Sequence, residues 1–497
     1  MCLIVGHGIL FNMGYIDEIM LAIETMDVEN ALKLFEKHQD EHGNEPAFIA
    51  AQAILCVQTQ ELETARDILL DGIEKHPDNA DLLYNIGYVY HSLGLGAQAL
   101  VFYNRSMENT EDADLIGELK QLCDDIKSSS KQYPSGVNLF MRCENHSGGV
   151  VGRLLQHALE ASGIQINVFD LINTQKTSIE ITKVELFNIN IIIGNVAYVH
   201  YDIATILSFN IDLEKFYNIG YMIWELAKIP DNFLSNLSTF QEIWTPSDFC
   251  TNAIKEKVFV PVLTVPLYAE SDRKVINNGR DFFGVKEDIF LFMIAFDFSS
   301  SLERKNPLAA VQAFLNSFSP DDHNVGLLIK PVYLEIYKEF MDRMLHFLSK
   351  YPNIYHIDKY LTDEEMRTLL HISDTLITLH RAEGFGLLPL EAMALGTPVI
   401  STAWSGNMQY MNPMNTALVG YDLIPVDGQY VRTAQGDGLV WANPDIKEAS
   451  GYMRRLVSDS EWRESLITNG RYTADELYNV AMASKIMYDR LKSLRLI

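Results

Sequence analysis

Positive charge is scarce in this chain of 497 residues: 39 Lys and Arg stand against 66 Asp and Glu, a formal net charge of −27. That balance argues against nucleic acid and anionic membrane surfaces as general partners. Cysteine is sparse as well. Five residues (Cys2, Cys56, Cys123, Cys143 and Cys250) are scattered without metal-ligand spacing. An odd, dispersed set suits reduced thiols and leads us to expect a cytoplasmic protein with no disulfide framework. No apolar run approaches the roughly 18–20 residues that span a bilayer, so no transmembrane segment is expected. The opening MCLIVGHGILFNMGYI is apolar but has no basic flank, and is not read as a signal peptide. Paired aspartates with metal-ligand spacing are missing too.

What remains is a chain of ordinary apolar content, 48 % hydrophobic, too long for a single core. Its first third carries a repeat of period 34. Ala31, Ala65 and Ala99 are spaced evenly, as are Phe35, Leu69 and Tyr103 four residues later on the same helical face. Residues 80–107, ADLLYNIGYVYHSLGLGAQALVFYNRSM, give the clearest copy, with Leu83, Ile86, Gly87 and Tyr90 at packing positions. This resembles the tetratricopeptide pattern, in which small residues let two helices approach and large ones fill the gap beside them. Residues 1–130 are therefore read as TPR-like helical repeats closed by a capping helix near 114–127. They would serve a protein partner, self-association or simple spacing. The polar SSSKQYPSG (128–136) reads as a linker.

From Val137 the pattern becomes alternating strands and helices. Strands are expected at 137–143, 164–170, 188–194, 242–247 and 262–267, then at 289–296, 327–331, 353–358, 374–379 and 398–403. Thr362 followed by Glu365 predicts a capping box. Two such series predict two Rossmann-like α/β domains facing a cleft, at 137–275 and 285–457, with helices at 458–497 packing across both.

Chemistry concentrates in RAEGFGLLPLEAMALGTPVISTAWSGN (381–407). Gly384 and Gly386 sit between two carboxylates eight positions apart, Glu383 and Glu391, and a strand precedes the loop. A strand–glycine loop–helix unit presents backbone N–H groups to an anion. Glu383 is placed to accept hydrogen bonds from hydroxyls. Glu391, read as lying in the first helical turn, either does the same or complements the helix dipole. Arg304 and Lys305 follow another strand and offer charge for a diphosphate, or form a solvated surface pair. Lys330, ending LLIKP, is the weaker cation and more in keeping with a structural role. Gly148 and Gly149, in HSGGVVGRLL, form a turn ahead of a helix in the first domain, either a tight connection or a backbone approach to substrate.

Several segments together are similar to one family. The GG turn, YMIWELAKIP (221–230), EIWTPSDF (242–249), ERKNP (303–307) and EGFGLLPLEAMALGTPVI (383–400) resemble, in order, the retaining GT-B glycosyltransferases of family 4. The resemblance covers about three quarters of the chain. It implies a hexosyltransferase that takes a nucleotide-diphosphate sugar, without a metal, and moves the sugar to a protein, glycan or lipid-linked acceptor. It implies that Glu383 contacts the donor sugar, Glu391 the ribose, and Lys305 with Arg304 the diphosphate. The backbone of Gly384, Phe385, Gly386 and Leu387 would line the pocket, and Gly148 and Gly149 would approach from the other wall. Relatives often carry a histidine near the donor sugar; His200 is the candidate, with Asn195 and His146 as others. Trp224 and Glu225 either shape the acceptor side or pack a helix. One departure is Ser299, six positions before Lys305, where many relatives have an arginine. The competing expectation is a catalytically silent scaffold on the same fold.

Overall fold

In a computed structural model the described residues are 14–129, 133–143, 147–258, 260–269, 274–276, 279–332, 337–426 and 438–494. The chain begins with helical hairpins: α1 (Gly14–Glu24) with α2 (Val28–His42), α3 (Pro46–Gln58) with α4 (Leu62–Lys75), and α5 (Ala80–Ser92) with α6 (Gly96–Glu108). The period-34 residues fall where their sizes require. Ala31, Ala65 and Ala99 are fully buried on the second helix of each hairpin, next to buried Phe35, Leu69 and Tyr103. A Cβ on Gly87 would come within 2.5 Å of the Tyr103 ring, so α5 and α6 approach this closely only because residue 87 has no side chain. A further helix, α7 (Ala113–Ser129), covers the last hairpin with Leu115, Leu119 and Leu122 packed against Tyr84 and Tyr103. Of the expected linker, residues 130–132 lie outside the described residues.

Two six-stranded parallel sheets follow. The first has the order β2-β1-β3-β4-β5-β6, built from β1 (Val137–Met141), β2 (Ile166–Asp170), β3 (Ile189–Asn195), β4 (Tyr217–Ile223), β5 (Glu242–Thr245) and β6 (Val262–Thr264). The second has the order β12-β11-β10-β7-β8-β9, from β7 (Phe290–Asp297), β8 (Val325–Val332), β9 (Ile354–His356), β10 (Thr375–Thr378), β11 (Val399–Thr402) and β12 (Ala417–Val419). An antiparallel hairpin, β13 (Tyr421–Pro425) and β14 (Val440–Pro444), is added to the second domain. These are the two Rossmann-like halves of a GT-B fold behind an all-helical region. Thr362 and Glu365 form the expected capping box, with side chain to backbone distances of 3.2 and 2.8 Å. Four strands were not anticipated. β4 carries Asn218, Gly220 and Tyr221 and lacks a continuous aliphatic run; β12 is three residues long; β13 and β14 are split by a long polar stretch.

Helices cover the sheets: α8 (Ser147–Ala161), α9 (Thr174–Ile181), α10 (Val199–Ser208) and α11 (Asp248–Lys255) in the first half. In the second are the four-residue turn α12 (Leu302–Lys305), then α13 (Pro307–Ser317), α14 (Lys338–Leu348), α15 (Asp363–Ile372) and α16 (Leu387–Leu395). The tail crosses between the halves. α17 (Ile446–Ser458) packs on α13 and α18 (Ser460–Tyr472) on α16. After a π-turn at Thr473–Leu477, α19 (Val480–Ser493) lies on α8, where Ser484 Oγ donates to the Ala158 carbonyl at 2.8 Å.

The tail also carries a buried charge pair. Arg490 donates to Glu242 at 2.7 and 2.9 Å, and Glu242, fully buried at the start of β5, accepts as well from Tyr217 (3.1 Å) and the Trp244 indole (2.5 Å). Removing one partner leaves a buried carboxylate uncompensated. Arg490→Met is therefore expected to lower stability by about 2–3 kcal/mol, at the low end because Arg490 is a fifth exposed. Adding Glu242→Gln should recover part of the loss; a denaturation midpoint unchanged by the single variant would refute this account. Beside the pair, a cleft of about 1000 Å³ separates the helical array (Val101, Arg105, Glu108) from Tyr217, Val262 and Leu494. Tyr217 and Val262 open β4 and β6. The array thus sits at the amino-terminal edge of the first sheet.

Candidate active site

The opposite, carboxyl-terminal edges of the two sheets face one another, and the glycine loop lies between them. In the second sheet β10 and β7 are neighbours although they are not consecutive. Loops leaving the two strands diverge there and open a crevice. From β7 comes α12 with Arg304 and Lys305; from β10 comes the segment 379–386.

The loop is held by its backbone. The Glu383 N–H donates to Ser405 Oγ at 2.8 Å, and the Glu383 carbonyl accepts from the Gly406 N–H at 2.8 Å. Gly386 adopts φ 82°, ψ 60°, a left-handed conformation natural to glycine, and so turns the chain into α16. Tyr410 Oη donates to the Gly386 carbonyl, and the buried Phe385 ring packs on Tyr410 at 5.1 Å. The first domain presses on the same loop. Ser247 Oγ donates to the Gly384 carbonyl at 2.6 Å, with Cys250 Sγ at 3.3 Å. A Cβ on Gly384 would meet Ile223 at 2.9 Å.

Three side chains converge. The Glu383 carboxylate receives Lys305 Nζ at 2.5 Å and Arg304 Nη1 at 3.2 Å. Arg304 is only 4 % exposed and also donates to the carbonyls of Ala382 (2.8 Å) and Ser300 (3.1 Å). It is not a solvated surface cation: α12, capped by Ser301 Oγ, turns it inward as a brace for the loop. Lys305, a quarter exposed, keeps a face toward the cleft. Burial pushes the Glu383 carboxyl up, but Lys305, Arg304 and His380 outweigh it and hold the group at about 2, against an ordinary 4.5. A folded-state value below the unfolded one stabilises the fold above pH 4.5, and that contribution is lost as pH falls from about 4.5 toward 2. The loss is about 3 kcal/mol. Denaturant titrations between pH 5 and about 2 should show Glu383→Gln losing less stability than the parent; parallel losses would exclude Glu383 as the source.

Sequence reasoning missed His380, Ser405, Asn407 and Ser247 as parts of this site. His380 is fully buried, and burial pulls its imidazole below the ordinary histidine range. Its Nε2 lies 3.1 Å from both the Trp404 carbonyl and Asn407 Oδ1, and its Nδ1 3.1 Å from Thr378 Oγ1. It ties the end of β10 to the WSGN turn after β11. The available signal was position: all four follow strands of a parallel sheet, where site loops arise.

Other expected residues are placed as follows. Glu391 is half-buried as the fifth residue of α16, not in its first turn, which contains no acid. The dipole reading of Glu391 therefore falls away. The helix starts at Leu387, and Pro389 has no N–H, so the helical N–H groups without an intrahelical acceptor are those of Leu387 and Leu388, while the Leu390 N–H meets the Tyr410 hydroxyl. Gly148 and Gly149 lie inside the first turn of α8, which begins at Ser147, rather than ahead of it. Gly148 is exposed, and among the described residues a Cβ there would meet nothing within 4 Å beyond its own helix. His200 is exposed in the first turn of α10 with its ring 4.0 Å from that of Tyr201. Among the described residues, no hydrogen bond links it or the two glycines to Glu383. Asn195 ends β3, pairs in register with Ile223 and donates to Glu225 at 3.3 Å. Trp224 is buried in the loop after β4, donates to the Lys228 carbonyl at 2.9 Å and lies in the same apolar cluster as Ala253 and Ile254 of α11, in keeping with the packing alternative. His146 lies outside the described residues. No group of three or more His, Cys, Asp or Glu arranged to hold a metal occurs among the described residues, and no helix there is long and apolar enough to cross a membrane.

Comparison with known proteins agrees with this architecture. Residues 343–473 match the family Glycosyl transferases group 1. Sucrose-phosphate synthase from Thermosynechococcus elongatus superposes with a TM-score of 0.55 at 13 % identity, over 73 % of this chain and 99 % of that one. HepE from Anabaena, solved with UDP and glucose, gives 0.53 at 12 % identity, over 72 % and 100 %. A glycosyltransferase from Rickettsia africae gives 0.54 at 11 % identity, over 73 % and 99 %. At these identities the likeness is one of fold. The coatomer subunit epsilon of Dictyostelium discoideum is 34 % identical over 59 residues, 12 % of this chain, and the match spans a fifth of that protein's length.

Proposed function

We propose that this chain, a glycosyltransferase of the GT-B fold whose residues 343–473 belong to the Glycosyl transferases group 1, moves a sugar from a nucleoside diphosphate to an acceptor hydroxyl with retained configuration and without a metal. The observation that carries this reading is the Lys305–Glu383–Arg304 cluster beside the α16 N-terminus, in the crevice between β7 and β10. Glu383, ionised between two cations, is a poor acid and a poor nucleophile. Its remaining lone pairs suit sugar hydroxyls. Lys305 and the N–H groups of Leu387 and Leu388 suit the diphosphate and its growing charge as the bond to the anomeric carbon lengthens.

In this reading the acceptor hydroxyl attacks from the face the nucleotide leaves, and a departing phosphate oxygen takes its proton. Glu391 holds the ribose, and the backbone from Gly384 to Leu387 lines the pocket. Gly148 and Gly149 approach from the first domain, with His200 as that domain's histidine near the donor sugar. The acceptor is a glycan, a lipid-linked glycan or a protein. Because the helical array lies at the far edge of the first sheet, it binds a partner, or a protein acceptor, away from the reacting centre.

The test is release of nucleoside diphosphate from a panel of nucleotide sugars, with EDTA present. Turnover that disappears in Glu383→Ala supports the reading. No binding or turnover of any donor would favour a silent scaffold, and equal rates in parent and variant would refute the site.

A further inference from the structure

The charge at this site does not balance, and a buried lysine one strand away offers the remainder. A bound nucleoside diphosphate brings about two negative charges, rising as it leaves. Against these stand Lys305 and Arg304, offset by Glu383. Arg304 is committed to Ala382, Ser300 and Glu383, which leaves Lys305 alone, itself shared with the same carboxylate.

Lys330 lies near the carboxyl end of β8, in register with Ala295 of β7, the strand that leads to Lys305. Neighbouring strands are about 4.8 Å apart. By strand alternation Lys330 shares a face with Leu328, which pairs with Met293. Leu328 and Met293 belong to the apolar cluster that also contains Leu390 of α16, with Leu387 and Leu388 packed against it. Lys330 therefore stands on the sheet face that α16 covers, at the edge where that helix presents its unpaired N–H groups.

Its surroundings do not explain it. Lys330 is 4 % exposed, and its one hydrogen bond among the described residues runs to the carbonyl of its own neighbour, Pro331, at 2.8 Å. An ammonium has three donors. Burial draws its pKa below the ordinary lysine range, against the opposing pull of Asp358, which follows β9. A cation so poorly compensated is costly, and methionine would fill the space without that cost.

We propose that Lys330 is the second cation of the nucleotide site, donating to a phosphate oxygen of the nucleoside diphosphate from the end of β8 while Lys305 holds it from the turn after β7. The proposal rests on the donor reading above, and the experiment separates the two. Full-length parent, Lys330→Met, Lys330→Arg and Lys305→Met are titrated calorimetrically with UDP, GDP and ADP. For the nucleotide that the parent binds, Lys330→Met should weaken affinity about tenfold or more, and Lys330→Arg should restore it to within about threefold. Should the methionine variant not fold, Lys330→Gln, which keeps a donor for Pro331 but no charge, takes its place with the same expected loss. Unchanged affinity in the uncharged variant overturns the proposal, and so does equal loss in the arginine variant, which would mark a packing role. If Lys305→Met loses affinity and Lys330→Met does not, only the assignment of Lys330 falls. If the parent binds none of the three nucleotides, the donor reading falls with it.

Discussion

Lys305→Met should lower kcat for nucleotide-sugar turnover by about 10²- to 10³-fold while changing KM far less. The asymmetry follows from where charge appears. In the ground state the diphosphate charge is spread over both phosphates, and several donors share it. As the glycosidic bond breaks, the terminal phosphate gains most of the new charge, and the ammonium nearest to it gains most in interaction energy. Lys305 is the cation of the cluster that retains an open face, since Arg304 is sealed beneath the loop. The substitution has a second consequence. It leaves the Glu383 carboxylate with Arg304 as its remaining ion-pair partner, so the pKa of Glu383 rises and acid unfolding begins at higher pH. Lys305→Arg keeps the charge but not the reach or the point-like ammonium, and should fall between parent and Lys305→Met. Single-turnover measurements on a nucleotide sugar that the parent uses decide the matter: a chemical step within about threefold of the parent would remove Lys305 from the mechanism.

The outline of this site was legible because its parts leave short, local marks. Carboxylates on either side of two glycines after a buried strand, and two cations after another strand, are patterns within a few residues. The sheets then carry those segments together across a separation of 78 positions. What was not legible depends on which way a side chain turns. Arg304 and Lys305 are adjacent and chemically alike, and nothing in the sequence tells which is buried. The four-residue helix with its Ser301 cap decides it. His380 and Ser405 act through partners 22 to 27 positions away, and a lone histidine or serine after a strand carries no mark of that. Glu391 was misplaced because the helix start was set by Gly386, whose left-handed backbone puts Leu387 at the first position. The repeat was easier, since small and large residues at a fixed period state a packing rule directly, as Gly87 under Tyr103 does. Strand β4 was harder, because buried Asn218 interrupts its apolar pattern while bonding side chain to side chain with Asn190 of β3 at 2.9 Å.

Gly406→Ala should remove both activity and much of the stability, although residue 406 is proposed to touch no substrate. Its position is fixed against the backbone of the Glu383–Phe385 loop. The Gly406 N–H donates to the Glu383 carbonyl, and a Cβ added here would overlap the carbonyl group of Gly384 and crowd the Phe385 nitrogen at 2.7 Å. A clash with a side chain can be relieved by a rotamer change; a clash with a peptide unit cannot. Either the WSGN turn or the Glu383–Gly386 loop must move, and the loop is also held by Ser247 and Tyr410. The expected cost is about 4 kcal/mol, in the range reserved for disrupted cores. Turnover should fall below detection even at temperatures where the variant stays folded, because a shift of about 1 Å at Glu383 and the α16 N-terminus spoils the alignment on which transfer depends. Gly148→Ala is the matched control. Among the described residues, no side chain or backbone beyond its own helix lies within 4 Å of a Cβ there, so its melting temperature should stay close to that of the parent. Any loss of turnover would then report a substrate passing over the first turn of α8. If Gly406→Ala melts and turns over like the parent, the loop is not the rigid wall that the proposed mechanism requires, and Glu383 cannot owe its placement to it.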